Sequence, residues 1–155
     1  MILYLDASAL VKKYVAEPGT MEVNDAIATA SNIGTSLLTR AEMGSALAKA
    51  VRRGAVAPSG GTIAMERFRA EWPHIFRIAA TESIVAHADE LAWMYGLRGY
   101  DAMHLASGLF WQRSVREAVS FATFDRQLWG AAQAAGLTPF PADLSPYLIN
   151  SQRRT

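Results

Sequence analysis

The chain contains no cysteine, so disulfide bonds and thiolate-held metals are both excluded. Histidine is scarce too, at three in 155 residues, which leaves an imidazole-rich zinc site little to be built from. Net charge is missing as well: 15 Lys and Arg against 14 Asp and Glu leave a formal +1. The basic surplus common among nucleic-acid binders is therefore absent, although an acidic pocket inside a basic rim would sum to the same figure. No run approaches the roughly 20 uninterrupted apolar residues of a membrane span. Met1 to Asp6 lack the basic start and long apolar core of a secretory leader. A soluble protein of a reducing compartment is expected, with a cytoplasmic location.

What the chain does have is apolar residues. Some 51% are hydrophobic and 19% charged, which suits a packed core and argues against disorder. The length suits one domain, placed at residues 1–150, with 151–155 as a loose tail. Ile2 to Leu5 is too short for a helix, ends on Asp6, and reads as a buried central strand. The run from Ala118 to Thr123 reads the same way and leads to Asp125.

Helices are expected at 7–15, 20–30, 39–53 and 81–95, from Asp101 to about Gln112, and from Asp125 through Ala135. Shorter strands are expected within 32–38, at 75–78 and at 137–139. Pro58-Ser59-Gly60-Gly61 reads as the clearest loop, with a helix running from it to Trp72. Strands alternate with helices and are apolar throughout. That predicts a three-layer α/β/α sandwich around a central, mostly parallel sheet.

Four acids stand at the junctions of this plan, and each has an ordinary explanation. Asp6, Asp101 and Asp125 can each cap a helix by accepting from its free N–H groups. Thr39-Arg40-Ala41-Glu42 is a capping box, in which the glutamate returns to the cap residue's own N–H. Placement weighs against four separate caps. In an open parallel sheet, ligands bind in the crevice at the carboxyl ends of the strands. Asp6 and Asp125 share that edge if their strands are parallel. Two charges about 4 Å apart repel by roughly 4 kcal/mol at an effective dielectric of 20, so clustered acids call for a cation. Carboxylate oxygens select Mg²⁺, Mn²⁺ or Ca²⁺ over softer metals. His104 lies three residues after Asp101. As a lone histidine on an apolar helix it reads as a packed or capping residue.

Four segments carry a resemblance: Tyr4-Leu5-Asp6-Ala7-Ser8-Ala9-Leu10-Val11-Lys12; Ser36-Leu37-Leu38-Thr39-Arg40-Ala41-Glu42; Leu97-Arg98-Gly99-Tyr100-Asp101-Ala102-Met103-His104-Leu105-Ala106; and Phe121-Ala122-Thr123-Phe124-Asp125-Arg126-Gln127-Leu128. Taken in order, they resemble the PIN-domain ribonucleases, and within them the VapC-type toxins of bacterial toxin–antitoxin pairs. The resemblance implies that Asp6, Glu42, Asp101 and Asp125 are the family's acidic quartet around Mg²⁺ or Mn²⁺. It implies that the Ser8 and Thr123 hydroxyls line the same pocket, against a metal-bound water or the scissile phosphate. It brings in Glu42, which strand topology alone does not. It also implies hydrolysis of RNA by metal-activated water, leaving 5′-phosphate and 3′-hydroxyl ends, in a homodimer that binds a small antitoxin. Residues from Asp143 onward match no motif of the family.

An RNA backbone needs cations near the rim. Lys12, Lys13, Arg40, Arg98 and Arg126 lie close in sequence to the acids, and Arg98 and Arg126 are the favoured phosphate contacts. The plain alternative is a solvated surface, or pairing with those same acids. Lys49, Arg52 and Arg53 read as a solvated helix face, and Trp72, Trp93, Trp111 and Trp129 as core or subunit-interface residues. A groove near residues 39–72, apolar at Ile63, Met65, Phe68 and Trp72, is the expected antitoxin seat. A haloacid-dehalogenase-type phosphatase needs a second Asp where Ser8 stands, and a receiver domain needs paired acids and a late lysine that are not evident. Two readings stay open beside the ribonuclease: a PIN-like module that binds RNA or a partner without cutting, and a DNA-directed nuclease.

Overall fold

The computed structural model describes residues 1–148. Five strands, β1 (Ile2–Leu5), β2 (Asn32–Ser36), β3 (Phe76–Ile78), β4 (Val119–Ala122) and β5 (Thr138–Phe140), form one sheet in the order β3-β2-β1-β4-β5. Every neighbouring pair is parallel, so the sheet expected to be mostly parallel is parallel throughout. The helices are α1 (Ala7–Leu10), α2 (Thr20–Thr29), α3 (Thr39–Arg52), α4 (Pro58–Glu71), α5 (Glu82–Tyr95), α6 (Gly99–Val115), α7 (Arg126–Ala134) and α8 (Ser145–Leu148). None of the described helices is long and apolar enough to cross a membrane. The tail expected at 151–155 lies outside the described residues.

Side chains of β1 alternate between two cores. Ile2 and Tyr4 pack with α5, α6 and α7 on one face, while Leu3 and Leu5 pack with α1 to α4 on the other. Burial on both faces is why the central strands carry no polar alternation.

Three expectations need correction. The helix expected over 7–15 stops at Leu10 and tightens into a 3₁₀ turn at Val11–Lys13. Pro58-Ser59-Gly60-Gly61 is the first turn of α4 and not a loop. Proline suits the first helical position because its missing N–H has no intrahelical partner there. Gly61 is buried where a Cβ would come within 2.4 Å of Val51 Cγ2, so it serves the close approach of α3 and α4. Of the expected antitoxin-facing residues, Phe68 and Trp72 are core, at 1% and 5% exposure, and only Ile63 and Met65 reach the surface. Trp111 is buried like Trp72, whereas Trp93 stands 93% exposed on α5 and packs in no core.

Helix α6 carries both Asp101 and His104, so its seating decides where they stand. Trp111 lies flat on β2 beside Gly34, stacked on Phe76 with ring centroids 5.5 Å apart. A Cβ at Gly34 would sit 2.6 Å from its ring atoms. Replacing a strand glycine with alanine ordinarily helps by about 0.5–1 kcal/mol, whereas overpacking a tight core costs about 1–3 kcal/mol. Trp111 is 4% exposed and has little room to move, so the clash should win. Gly34→Ala is expected to be less stable than wild type by about 1–2 kcal/mol in urea unfolding. An unchanged or raised midpoint would show that this contact does not seat α6.

Candidate active site

β1 and β4 are neighbours, but β2 flanks β1 on one side and β5 flanks β4 on the other. The crevice at their carboxyl ends is therefore a topological switch point, where open α/β sheets bind ligands. Leu5 pairs with Ala122 in register, so Asp6 and Thr123 are the next residues along the two strands. The Asp6 N–H continues the ladder to the Ala122 carbonyl at 3.0 Å.

Asp6 is 3% exposed. Its Oδ1 accepts from the Ala9 N–H at 2.8 Å, capping α1, and from the Ser8 hydroxyl at 2.7 Å. Its Oδ2 accepts from the Thr123 hydroxyl at 2.6 Å. Burial pushes this carboxyl above the usual carboxylate range, against the lowering pull of His104 and of the three donors. Ser8 and Thr123 have thus spent their protons on Asp6. Their oxygens accept in turn from the N–H groups of Phe124 at 2.9 Å and Asp125 at 3.1 Å. A carboxylate oxygen has two lone pairs, so Oδ1 is filled and Oδ2 keeps one.

Glu42 reaches the crevice from α3. The capping box is not formed, because Thr39 is already the first helical residue and Leu38 the cap. The Thr39 hydroxyl instead meets Thr35 Oγ1 at 2.7 Å, and Thr35 donates to the Leu5 carbonyl at 2.6 Å. Two buried threonines thereby moor the start of α3 to the end of β1. With the cap out of reach, Glu42 Oε2 lies 2.6 Å from His104 Nε2, and His104 Nδ1 lies 2.8 Å from the Tyr4 hydroxyl. His104 is 2% exposed. Burial lowers its pKa, but the Glu42 hydrogen bond and the charges of Glu42, Asp6 and Asp101 outweigh this and raise it. The charges of three of the four acids therefore act on one imidazole, and Glu42 alone of them touches it.

Asp101 is the third residue of α6 and not its cap; that position belongs to Arg98, whose side chain caps nothing. Asp101 Oδ2 accepts from Arg98 Nε at 3.0 Å, and Arg98 Nη2 lies 3.6 Å from Asp125 Oδ2. Asp125 does cap α7, through Oδ1 and the Leu128 N–H at 2.8 Å. The Arg98 side chain is 78% exposed, so it lies across both acids from the solvent side. The cleft holds about 570 Å³, and its lining includes Ala7, Glu42, Lys49, Arg98, Tyr100 and Asp101.

The cations divide clearly. Lys49, expected on a plain solvated face, lines the cleft beside Glu42. Lys12 is paired with Glu17 at 2.9 Å and lies over the Phe124 ring, and Lys13 is paired with Glu71. Neither lysine is free for phosphate. Arg126 is exposed at the start of α7 and does not line the cleft.

Among the described residues, no three His, Asp or Glu side chains are already drawn into a metal cage. The donors instead fit a hard ion held sparingly, since Mg²⁺ takes one or two carboxylates and keeps several waters. Glu42 Oε1 and Asp101 Oδ1 carry no hydrogen bond among the described residues, and Arg98 shows that the Asp101–Asp125 pair draws a cation.

This layout has a family: residues 3–132 match the PIN domain, and the chain belongs to the PIN-domain family. Within that family the likeness is to VapC ribonucleases. Ribonuclease VapC45 of Mycobacterium tuberculosis is 33% identical over 146 residues, 94% of this chain and 99% of the relative. Among solved structures, PAE2754 from Pyrobaculum aerophilum has a TM-score of 0.62 at 19% identity, over 97% of this chain and 88% of that one. A toxin-antitoxin complex from Klebsiella pneumoniae has 0.59 at 18% identity, over 92% and 98%. At those identities the two structures speak for the fold alone.

Thr123→Val removes the donor to Asp6 Oδ2 at little change in size. The lost bond had lowered the Asp6 pKa, so its loss lifts the folded value further above the unfolded one. A carboxyl with a raised folded pKa contributes stability below the unfolded value and loses it as pH rises. The variant should be about 1–3 kcal/mol less stable at neutral pH, with a smaller loss below the ordinary Asp pKa of about 3.9. Equal losses in urea melts at both pH values would show that Thr123 does not serve the charge on Asp6.

Proposed function

We propose that the chain is an Mg²⁺- or Mn²⁺-dependent endoribonuclease acting as the toxin of a toxin–antitoxin pair. The observation that supports this is that Glu42 and Asp101 line the switch-point cleft, Asp6 stands at the end of β1, and a guanidinium spans Asp101 and Asp125. The choice of RNA over DNA rests on the ribonuclease name of the relative. All four acids are present, which favours a cutting enzyme over a binding-only module.

Asp6 and Asp101 are the first choices to hold the ion, Asp6 through the open lone pair on Oδ2 and Asp101 through Oδ1. Glu42 and Asp125 hold it, its waters or a second ion. Held there, a divalent cation would supply water activation and charge neutralisation at the phosphoryl group. Ser8 and Thr123 act one step back, keeping Asp6 in one rotamer. Arg98 and Lys49, which line the cleft at its rim, would take phosphate oxygens. Arg126, further out, is left to the flanking backbone. These contacts position the strand and carry no sequence preference.

The antitoxin is assigned to the groove of about 510 Å³ between α3 and α4, lined by Gly44, Ala48, Val51 and Met65 with Arg52 and Arg69. That keeps the expected region and drops Phe68 and Trp72, which are core. The Klebsiella pneumoniae structure is a toxin-antitoxin complex, and it shares this fold. We further assign a homodimer working in the cytoplasm as one domain over residues 1–150. The exposed Val85, Trp93 and Met94 of α5 give it an apolar face.

RNA cleavage should require Mg²⁺ or Mn²⁺ and stop in EDTA; cleavage that persists unchanged in EDTA sinks the metal mechanism. Asp101→Asn is the sharper test. The Asp101–Arg98 pair is solvent-screened and contributes about 0–1 kcal/mol, so without metal the variant should melt close to wild type. In Mg²⁺ at a hundred times its dissociation constant, wild type should gain about 2.7 kcal/mol and the variant less. Cleavage should fall by orders of magnitude. A variant that melts like wild type in both conditions and still cuts RNA would remove Asp101 from the site.

Expression without a partner should arrest growth, and Asp6→Asn should relieve the arrest. Growth unaffected by the wild-type chain counts against the toxin role. A monomer by light scattering at high concentration counts against the dimer.

A further inference from the structure

Helix α6 enters the core through Ala102, Met103, Leu105, Ala106 and Trp111, and a leucine at 104 would need no hydrogen-bond partner of its own. An imidazole at 2% exposure is unfavourable unless its nitrogens are paired. Both are paired, and to elements far apart in the chain. Nδ1 meets Tyr4 of β1, 100 residues away, and Nε2 meets Glu42 of α3, 62 residues away. A packing role explains neither direction.

We propose that His104 is a positioning residue for Glu42, holding Oε2 so that Oε1 alone is presented to the cleft. The proposal rests on the nuclease reading of the site. A carboxylate only accepts hydrogen bonds, so Nε2 carries the proton that bridges to Glu42. Nδ1 then faces the Tyr4 hydroxyl, which serves as donor or acceptor as required. Tyr4 is itself fixed, stacked on Phe121 with centroids 4.9 Å apart and planes 6° from parallel. The rigid sheet therefore sets the ring, and the ring sets the carboxylate. Glu42 needs this more than Asp6 does. Its side chain is longer and 22% exposed, it has lost the capping contact, and no other hydrogen bond restrains it among the described residues. Groups one step behind a metal ligand commonly decide its orientation, and removing them costs about 10–100-fold in metal affinity.

The test uses the purified full chain and Mn²⁺ as the probe, with affinity read from the paramagnetic resonance signal of free Mn²⁺ in the absence of RNA. His104→Leu should weaken Mn²⁺ binding about 10–100-fold. His104→Gln, which keeps an N–H near the Nε2 position, should recover most of that, and Tyr4→Phe should cost less than His104→Leu. In a Glu42→Ala background, His104→Leu should add nothing, because both changes remove one interaction. A folded His104→Leu protein with wild-type Mn²⁺ affinity overturns the proposal. So do losses that add fully in the Glu42→Ala background. If His104→Leu does not fold, Tyr4→Phe with Glu42→Ala carries the same cycle under the same criterion. Wild type that binds no Mn²⁺ overturns the metal site itself, an outcome distinct from any of these.

Discussion

The buried carboxylate of Asp6 is the group on which the rest of the arrangement depends. An isolated charge at 3% exposure would be strongly disfavoured. It persists because donors reach it from two elements: α1, through the Ala9 N–H and the Ser8 hydroxyl, and Thr123 beyond the end of β4. Ser8 and Thr123 in turn take up the N–H groups of Phe124 and Asp125, which have left the ladder. The β1–β4 pairing is thus continued past the sheet by side chains, and Asp125 is placed as a consequence of holding Asp6. Stability and chemistry are not separable at this edge.

The opposite wall is built from different materials to the same end. Threonines at 35 and 39 bind α3 to the Leu5 carbonyl, and His104 reaches across from α6 to Glu42. Asp6 and Glu42 are thus held from elements other than their own, Arg98 reaches Asp125 from the start of α6, and Asp101 rides on α6 itself, so the four keep their spacing only when both cores are packed. The apolar packing of Gly34 against Trp111 enters for this reason, because it seats the helix that carries both Asp101 and His104.

How much of this was legible in the sequence depends on which forces are local. Continuous apolar runs ending in Asp betrayed β1 and β4, since burial on both faces leaves a one-dimensional trace. Strand-end placement of Asp6 and Asp125 was legible for the same reason. Pro58 to Gly61 misled because glycine serves both turns and close helix contacts, and only the partner, here Val51, decides between them. The capping box misled because a shift of one residue in the helix start takes Glu42 away from the cap and frees it for His104. That shift goes with Thr39 bonding Thr35, and Thr35 is in turn tied to the Leu5 carbonyl of β1, 30 residues away, which no local pattern encodes. His104 carried a weak trace, three residues from Asp101 on the same helix, but its two partners lie 62 and 100 residues away.

The near-zero net charge also resolves once positions are known. Among the acids of the site only Asp6 is fully buried, and the cations that answer them are long side chains at the mouth, Arg98 and Lys49. Exposed cations above a buried acid make a field that points inward, from the mouth toward Asp6, although the whole-chain sum is +1. Arg98 is weakly bound where it lies, because an exposed ion pair contributes little. A divalent ion has twice its charge and far less conformational entropy to lose on binding. On the metal-dependent reading proposed above, this exposed contact would give way to the ion, and the guanidinium would be left at the rim of the cleft.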